Sequence, residues 1–166
     1  MAKAYANDIR DELLDLLRTD LPGKVEALGL PDIETWENAR QELRTSALYP
    51  AVLVRFAGWS QPRDDEHWMA GGSTQQTDTV YEFTVQLACK HADPVALDED
   101  LAAYAECLRA CIDDADNYNV GGAADDMWPG DLDTSPAFPQ SDSTRVRALE
   151  LRVYIQKQRT VGNYAT

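Results

Sequence analysis

The chain has 166 residues and 44% of them are hydrophobic, which is enough to bury a sizeable core in a single domain over residues 1–166. Its formal net charge of −14 argues against nucleic-acid binding, because holding a phosphate backbone requires many cations on one face. The sequence contains no apolar run near the roughly 18 residues of a membrane span, and acids interrupt its N-terminal apolar stretch. We therefore expect neither a membrane segment nor a signal peptide.

The N-terminal third predicts an amphipathic helix, followed by a segment with two interpretations. Residues 4–20 carry an apolar stripe at helical spacing, capped by Asn7 or Asp8, and Pro22-Gly23 should end this helix. Asp32 could cap a second, weaker helix, although a strand within IETWEN is an open alternative. The stripe of the first helix consists of Ile9, Leu13, Leu16, Leu17 and Leu21.

A strand and a long polar loop are expected next. Residues 51–56 read AVLVRF, a short run rich in β-branched and aromatic side chains that predicts a central strand. Residues 57–77 show no sustained period, and a structureless loop of this length commonly serves binding. We take Trp59, Trp68 and Met69 as candidate partner contacts, because aromatic residues and Met are enriched in interfaces. The alternative is that one Trp packs back on its own domain.

The segment from residue 78 to residue 116 is the clearest part of the sequence. Its first part alternates between apolar and polar side chains, which predicts a strand with one dry face. Asp93 and Pro94 are suited to open a helix, and the following residues carry an apolar stripe at helical spacing. The dry strand face comprises Tyr81, Phe83, Val85, Leu87 and Cys89, and the helix stripe comprises Leu97, Leu101, Tyr104, Leu108, Cys111 and Ile112.

The C-terminal part combines an irregular insertion with a long strand. Residues 117–142 are punctuated by glycine and proline, with a short strand possible near 131–137. In the last strand, one face carries the alternating apolar residues Leu149, Leu151, Val153 and Ile155. At the start of the strand, Arg145 and Arg147 fall on that same face. Either a bulge flips the register there, or the start of the strand contacts another surface. Together these elements predict an α+β fold, with a mainly antiparallel sheet of about four strands, two main helices packed on one face, and long loops.

No motif in the sequence indicates catalysis, a cofactor or a metal. The nucleophile-elbow, zinc-protease, dinucleotide-binding and Walker patterns are all missing. His67 beside Asp64 and Glu66 could form a base or a metal site, but a charged run in a loop is more often simply solvated. The three cysteines match no zinc spacing and are interpreted as buried core thiols in a reducing compartment.

The charge is unevenly distributed along the chain. Residues 93–133 contain twelve acids and one base, whereas residues 144–159 contain five bases and one acid. Such separation would let the acidic face of one copy meet the basic face of another, although plain solubility explains it equally well. Asp113, Asp114 and Asp116 lie at a predicted helix C-terminus, where the helix dipole disfavours anions. These three acids could be solvated there by chance, or they could serve an external role.

The order of elements resembles that of the small tail terminator and tail-completion (neck) proteins of long-tailed bacteriophages. The resemblance covers most of the chain and rests on order, not on a diagnostic motif. It comprises the leading helix, the strand YPAVLV, the long polar loop, the strand YEFTVQL, the helix opening at ADP, the Gly/Pro-rich insertion and the closing strand RALELRVYI.

The resemblance implies a non-enzymatic structural protein of the virion, assembled in the bacterial host cytoplasm. Its partners would be further copies of itself in a ring, usually a homo-hexamer, together with the tail tube protein and the head-side connector or stopper. DNA would pass through the lumen without specific binding. In that setting Asp113, Asp114 and Asp116 are candidate lumen acids, and Arg145 and Arg147 are candidate inter-subunit contacts.

Three alternatives remain open from sequence. Another neck or head–tail connector component of the same particle fits nearly as well as a terminator. An acidic DNA-mimic inhibitor would explain the net charge without a ring, and it would be a monomer or a dimer. An enzyme built around His67 is the least favoured.

Overall fold

The computed structural model describes residues 5–38, 48–60, 74–139 and 144–162. They form an α+β fold in which strands β2, β3, β6 and β4 lie side by side in that order and run antiparallel. A short strand, β1, pairs in parallel with β2, and β5 pairs with the start of β6. In chain order the elements are α1 (Tyr5–Ala27), β1 (Thr35–Asn38), β2 (Ala51–Ser60), β3 (Thr74–His91), α2 (Pro94–Asp113), a 3-10 turn (Val120–Gly122), β4 (Asp126–Thr134), β5 (Phe138–Pro139) and β6 (Arg145–Gly162).

The main core lies between the two helices and one face of the sheet. The predicted dry faces are confirmed, because the alternating residues of β3 and the stripe of α2 all belong to one buried cluster. The predicted start of α2 is also confirmed: Asp93 caps the helix by accepting a 3.0 Å hydrogen bond from the backbone N–H of Val95, and Pro94 is the first helical residue. From β6 the cluster takes Leu149, Leu151, Val153 and Ile155.

Helix α1 continues past the proline that was expected to end it. It runs to Ala27, so the prediction that Pro22-Gly23 terminates it is wrong. A proline inside a helix costs about 3 kcal/mol, but Leu21 and Val25 are both fully buried in the core. Burial of each such side chain returns about 1.5–3 kcal/mol, so packing outweighs the local penalty. The helix instead ends before Gly29, whose φ of +69° reverses the chain.

Residues 35–38 form a strand, so the weaker helix predicted after Asp32 is wrong there. The rest of that prediction falls on residues 39–47, which lie outside the described residues. Residues 35–38 pair with residues 51–54 of β2, which confirms the IETWEN alternative up to residue 38. The approach to this strand is tied to α2, because the buried Tyr104 hydroxyl donates a 2.7 Å hydrogen bond to the Pro31 carbonyl.

The expected loop over residues 57–77 is shorter at both ends. Strand β2 continues to Ser60, and β3 begins at Thr74. A register shift between Phe56 and Gly58 marks a β-bulge, and the bulge breaks the strict alternation that sequence reasoning needs. Residues 61–73 lie outside the described residues.

The insertion at 117–142 is more regular than expected. It contains the 3-10 turn and nine-residue β4, which forms one edge of the sheet. The short strand placed near 131–137 therefore begins earlier, at Asp126, and ends at Thr134. The sequence of this strand does not alternate regularly between apolar and polar residues, because it contains Pro129, Gly130 and a register shift between Pro129 and Leu132.

A bulge does not explain why the apolar residues change from one face of the sheet to the other at the start of β6. Pairing with β3 keeps one register from the Arg145–His91 pair to the Gly162–Thr74 pair. Val146 instead points to the opposite face of the sheet, where it joins a second small buried cluster with Tyr49, Ala51, Leu53 and Ala88.

Candidate functional site

The three cysteines are thiols within the core. All are free and buried, with Cys89 on β3 and Cys107 and Cys111 on α2. Burial is the largest cause of their raised pKa values, and it takes the pKa of Cys89 and Cys111 to about 12. Such thiols stay protonated at neutral pH and are poor nucleophiles and metal ligands. Within the described ranges, no group of three or more His, Cys, Asp or Glu residues could hold a metal ion.

The structure places one of the two histidines. The Nδ1 atom of His91 accepts a 2.9 Å hydrogen bond from the backbone N–H of Asp93, so His91 helps to shape the turn between β3 and α2. His67 and its acidic neighbours lie outside the described residues. Trp68 and Met69 also lie outside them and remain candidate contacts.

Trp59 is a surface residue near the end of β2. Its side chain is 58% exposed, and the nearby Phe56 is 41% exposed. Both project from the helix side of the sheet, because their register partners, Tyr81 and Phe83, belong to the core. Phe56 meets Phe83 edge to face with ring centroids 5.8 Å apart. Trp59 therefore carries exposed apolar area on a rigid strand, which suits a contact residue.

The three candidate lumen acids occur together at the C-terminal end of α2. Asp113 accepts a hydrogen bond from Arg109 at 3.2 Å. The backbone N–H of Asp116 donates to the Asp114 carboxylate at 2.9 Å, and Lys24 of α1 lies 3.9 Å from the same carboxylate group. These contacts offset part of the unfavourable interaction between the three carboxylates and the helix dipole.

The fold joins the acids of α1 to this acidic end, which the sequence did not indicate. A cleft of about 310 Å³ separates α1 from the segment that follows α2. Asn117 holds the two walls together, because its amide donates to Asp20 at 2.9 Å and to the Cys111 carbonyl at 3.0 Å. The cleft is lined by Glu12, Asp15, Leu16, Thr19, Asp20, Asp116, Asn117 and Gly121.

The candidate inter-subunit arginines occupy two different environments. Arg145 is exposed at the start of β6, in register with His91. Arg147 is mostly covered and forms an ion pair with Asp98 of α2. It also donates to the Ser135 carbonyl at 2.8 Å and to the Thr134 hydroxyl at 3.2 Å. Arg147 thus joins α2 to the end of β4 within one chain, and Arg145 is the more accessible of the pair.

The sheet face opposite the helices, here called the outer face, carries polar and aromatic groups that sequence reasoning did not select. Arg55 of β2 pairs with Glu150 of β6 at 3.3 Å, and Arg152 pairs with Glu82 of β3 at 3.6 Å. Trp128 of β4 stacks on Tyr154 of β6, with ring centroids 5.9 Å apart. The alternation of β6 could have indicated this face, because Glu150, Arg152 and Tyr154 alternate with the buried residues of that strand.

None of the helices in the described part of the chain is both long enough and apolar enough to cross a bilayer.

Comparison with known proteins gives a weak structural similarity. No family model matches this sequence, and no curated protein is similar to it. Among solved structures, the chain is similar to one chain of the "Virion of native gene transfer agent (GTA) particle". The TM-score is 0.45 and the identity is 13%, over 93% of this chain and 99% of that chain. A similarity at this level assigns no residue a role.

Proposed function

We propose that this protein is a structural component of a phage-type virion, which forms a ring on the end of the tail tube. The ring would stop tube growth, present a surface to the head-side connector and let DNA pass through its lumen. The proposal rests on the order of elements that the sequence shares with tail terminator and neck proteins. The observed α+β fold agrees with that order.

The observation that supports a lumen within this proposal is the concentration of exposed acids on α2 and beyond it. Helix α2 carries five acids and one base, and Asp114 and Asp116 follow directly. In a ring, such a surface on the lumen side would repel the DNA backbone, so DNA would slide past without binding. The cleft acids of α1 would extend that negative surface, because Glu12 and Asp15 line the same cleft as Asp116.

Trp59 is the partner contact that this proposal assigns on the described surface. Its indole is exposed on a rigid strand, where burial against the tail tube or the connector would contribute to binding without ordering a loop. A Trp59→Ala variant should keep its fold and bind tail tubes more weakly.

Particle mass and electron microscopy test the ring directly. The purified protein is measured alone and with tail tubes by mass photometry and negative-stain microscopy. A closed ring, usually of six copies, or capping at tube ends is the expected result. A stable monomer indifferent to tubes would overturn the proposal, and it would favour the acidic DNA-mimic alternative if the monomer bound a DNA-binding protein.

Charge reversal tests the lumen assignment. A variant with Asp113, Asp114 and Asp116 changed to Lys should assemble on tubes but retard DNA passage, because cations in the lumen attract phosphate. Asp8→Lys, an exposed change in the first turn of α1, tests whether charge reversal elsewhere has the same effect. Normal DNA passage through the triple variant would count against the lumen assignment.

A further inference from the structure

Lys90 and Arg145 are exposed cations at one end of the sheet. Lys90 lies one residue before the end of β3, and Arg145 is the first residue of β6. The two strands pair there, with Lys90 opposite Val146 and His91 opposite Arg145. Arg145 is also paired with Pro139 of β5, so strand pairing holds its backbone on both sides. We call Lys90 and Arg145 the basic end.

The basic end differs from the other exposed cations because its charges are not neutralised within the chain. Across the parts of the chain that the structure describes, neither Lys90 nor Arg145 forms an ion pair. The neighbouring acid Asp93 is engaged in capping α2 through the backbone N–H of Val95. The exposed cations that do form ion pairs with carboxylates of their own chain are Arg18, Arg55, Arg109 and Arg152.

Strand β4 carries the opposite charge. It contains three acids and no base, and it is the last strand on its side of the sheet. Asp131 and Asp133 are both exposed near the end of β4, and neither forms an ion pair with a described residue. Leu132 lies between them and is also exposed. We call Asp131 and Asp133 the acidic segment.

The net charge of the chain limits where two copies can attract each other. Copies that each carry −14 repel one another over most of their surface. A contact between copies is therefore most favourable where an unpaired cation meets an acid, and such a contact also fixes the register of the two partners. The basic end supplies the unpaired cations.

The basic end and the acidic segment lie on different sides of the sheet. The end of a strand points along the strand direction, whereas the last strand of a sheet faces across it, along the hydrogen-bonding direction. A contact between the two surfaces therefore turns each copy relative to the one before, instead of stacking copies in a straight line. Two different surfaces in contact make a heterologous interface, which generates a ring when the rotation closes.

We propose that Lys90 and Arg145 of one copy bind Asp131 and Asp133 of a second copy. This inference rests on the proposed function, since it names the contact through which copies would form the ring. The contact does not use the three candidate lumen acids at the end of α2, so it leaves them available to face the lumen.

Reversing the acidic segment separates this contact from general charge repulsion. Changing Asp131 and Asp133 to Lys adds two charges at each position and moves the net charge from −14 to −10. General repulsion then predicts stronger assembly, because the copies repel each other less. The proposed contact predicts a dissociation constant about tenfold higher or more, because like charges then meet. Asp8→Lys with Glu26→Lys makes the same charge change at exposed positions of α1 and is the matched control.

Reversing the basic end completes the charge swap. Lys90→Glu with Arg145→Glu should also weaken assembly about tenfold or more, and combining all four changes should recover most of the loss. Arg18→Glu with Arg109→Glu makes the same charge change at exposed cations that are already paired, so its loss should be smaller. Sedimentation velocity of the full chain over a range of protein concentrations measures each dissociation constant.

Circular dichroism melting identifies a variant that fails to fold, in which case Lys90→Gln with Arg145→Gln replaces the glutamate pair. The contact would be overturned, with a ring still possible, if either reversal weakened assembly no more than its control or if the combined variant recovered nothing. Contact-dependent assembly that ignores tail tubes would preserve this inference and overturn the proposed function. A wild-type chain that stays monomeric at every concentration, with and without tubes, would overturn both.

Discussion

Gly130 supports the aromatic pair on the outer face of the sheet, and replacing it with alanine gives a quantitative test of that packing. A Cβ at residue 130 would lie 2.5 Å from Cε2 of Tyr154 and 3.2 Å from Cβ of Arg152. Carbon atoms in contact prefer about 3.5–4.0 Å, so the Tyr154 ring would have to move by roughly 1 Å. That movement would disrupt its stacking on Trp128.

The expected cost follows from opposing terms. Overpacking of this kind costs about 1–3 kcal/mol, of which the lost aromatic pair accounts for about 0.5–1.5 kcal/mol. Removing a glycine from a strand returns about 0.5–1 kcal/mol of backbone entropy. The difference between these terms lowers the free energy of unfolding of Gly130→Ala by about 0–2.5 kcal/mol, with a midpoint of about 1 kcal/mol. In a chain of this size, a loss of about 1 kcal/mol lowers Tm by roughly 2–4 °C.

Denaturant unfolding followed by circular dichroism measures this change, with Gly58→Ala as the matched control. Gly58 is also a strand glycine, but a Cβ at residue 58 would meet no heavy atom within 4 Å, so its replacement should be neutral or slightly stabilising. A Tyr154→Ala background removes the ring and leaves only the 3.2 Å approach to Cβ of Arg152, so the cost of Gly130→Ala should be smaller there than in the wild-type background. Equal effects of the two glycine substitutions in the wild-type background would refute the reasoning.

The remaining predictions concern the helices and the thiols. Tyr104→Phe removes a buried hydroxyl bond and should cost about 0.5–1.5 kcal/mol in denaturant unfolding. Gly29→Ala should cost about 1 kcal/mol because of its positive φ, whereas Gly23→Ala, inside α1, should stabilise by about as much. Burial raises the pKa of Cys89 and Cys111 from 9.0 to about 12, so their contribution to stability is full below pH 9 and is lost as pH rises toward 12. Thermal melts across that range should show a smaller decline in a variant with both cysteines replaced by alanine.

Sequence patterns predicted the central strand and helix because their determinants are local. The alternation that ends at Cys89 and the cap at Asp93 each involve residues a few positions apart, so one stretch of sequence contains the whole signal. The fold class followed from the order of such stretches. Strand β4 was only partly predicted, because its proline, its glycine and its bulge remove the period-2 signal.

The candidate site was predictable only as a list of exposed residues. Sequence selected Asp113, Asp114 and Asp116 from their position against the helix dipole, and their lumen role stays a prediction. It could not place Glu12 and Asp116 on the same cleft, because those residues are far apart in the chain and share the cleft only through packing of α1 on α2. The edge strands could not be predicted either, since the order of strands in a sheet does not follow from any one segment of the sequence.

Local sequence patterns are sufficient to predict the dry face of β3, the start of α2 and the acidity of the surface, because these properties depend on neighbours along the chain. Packing in three dimensions makes α1 pass through Pro22, since the compensating burial of Leu21 and Val25 requires the assembled core. It also decided that Arg147 pairs with Asp98, which is 49 positions away. Those outcomes depend on competition between local cost and distant contacts, and only the complete fold supplies the contacts.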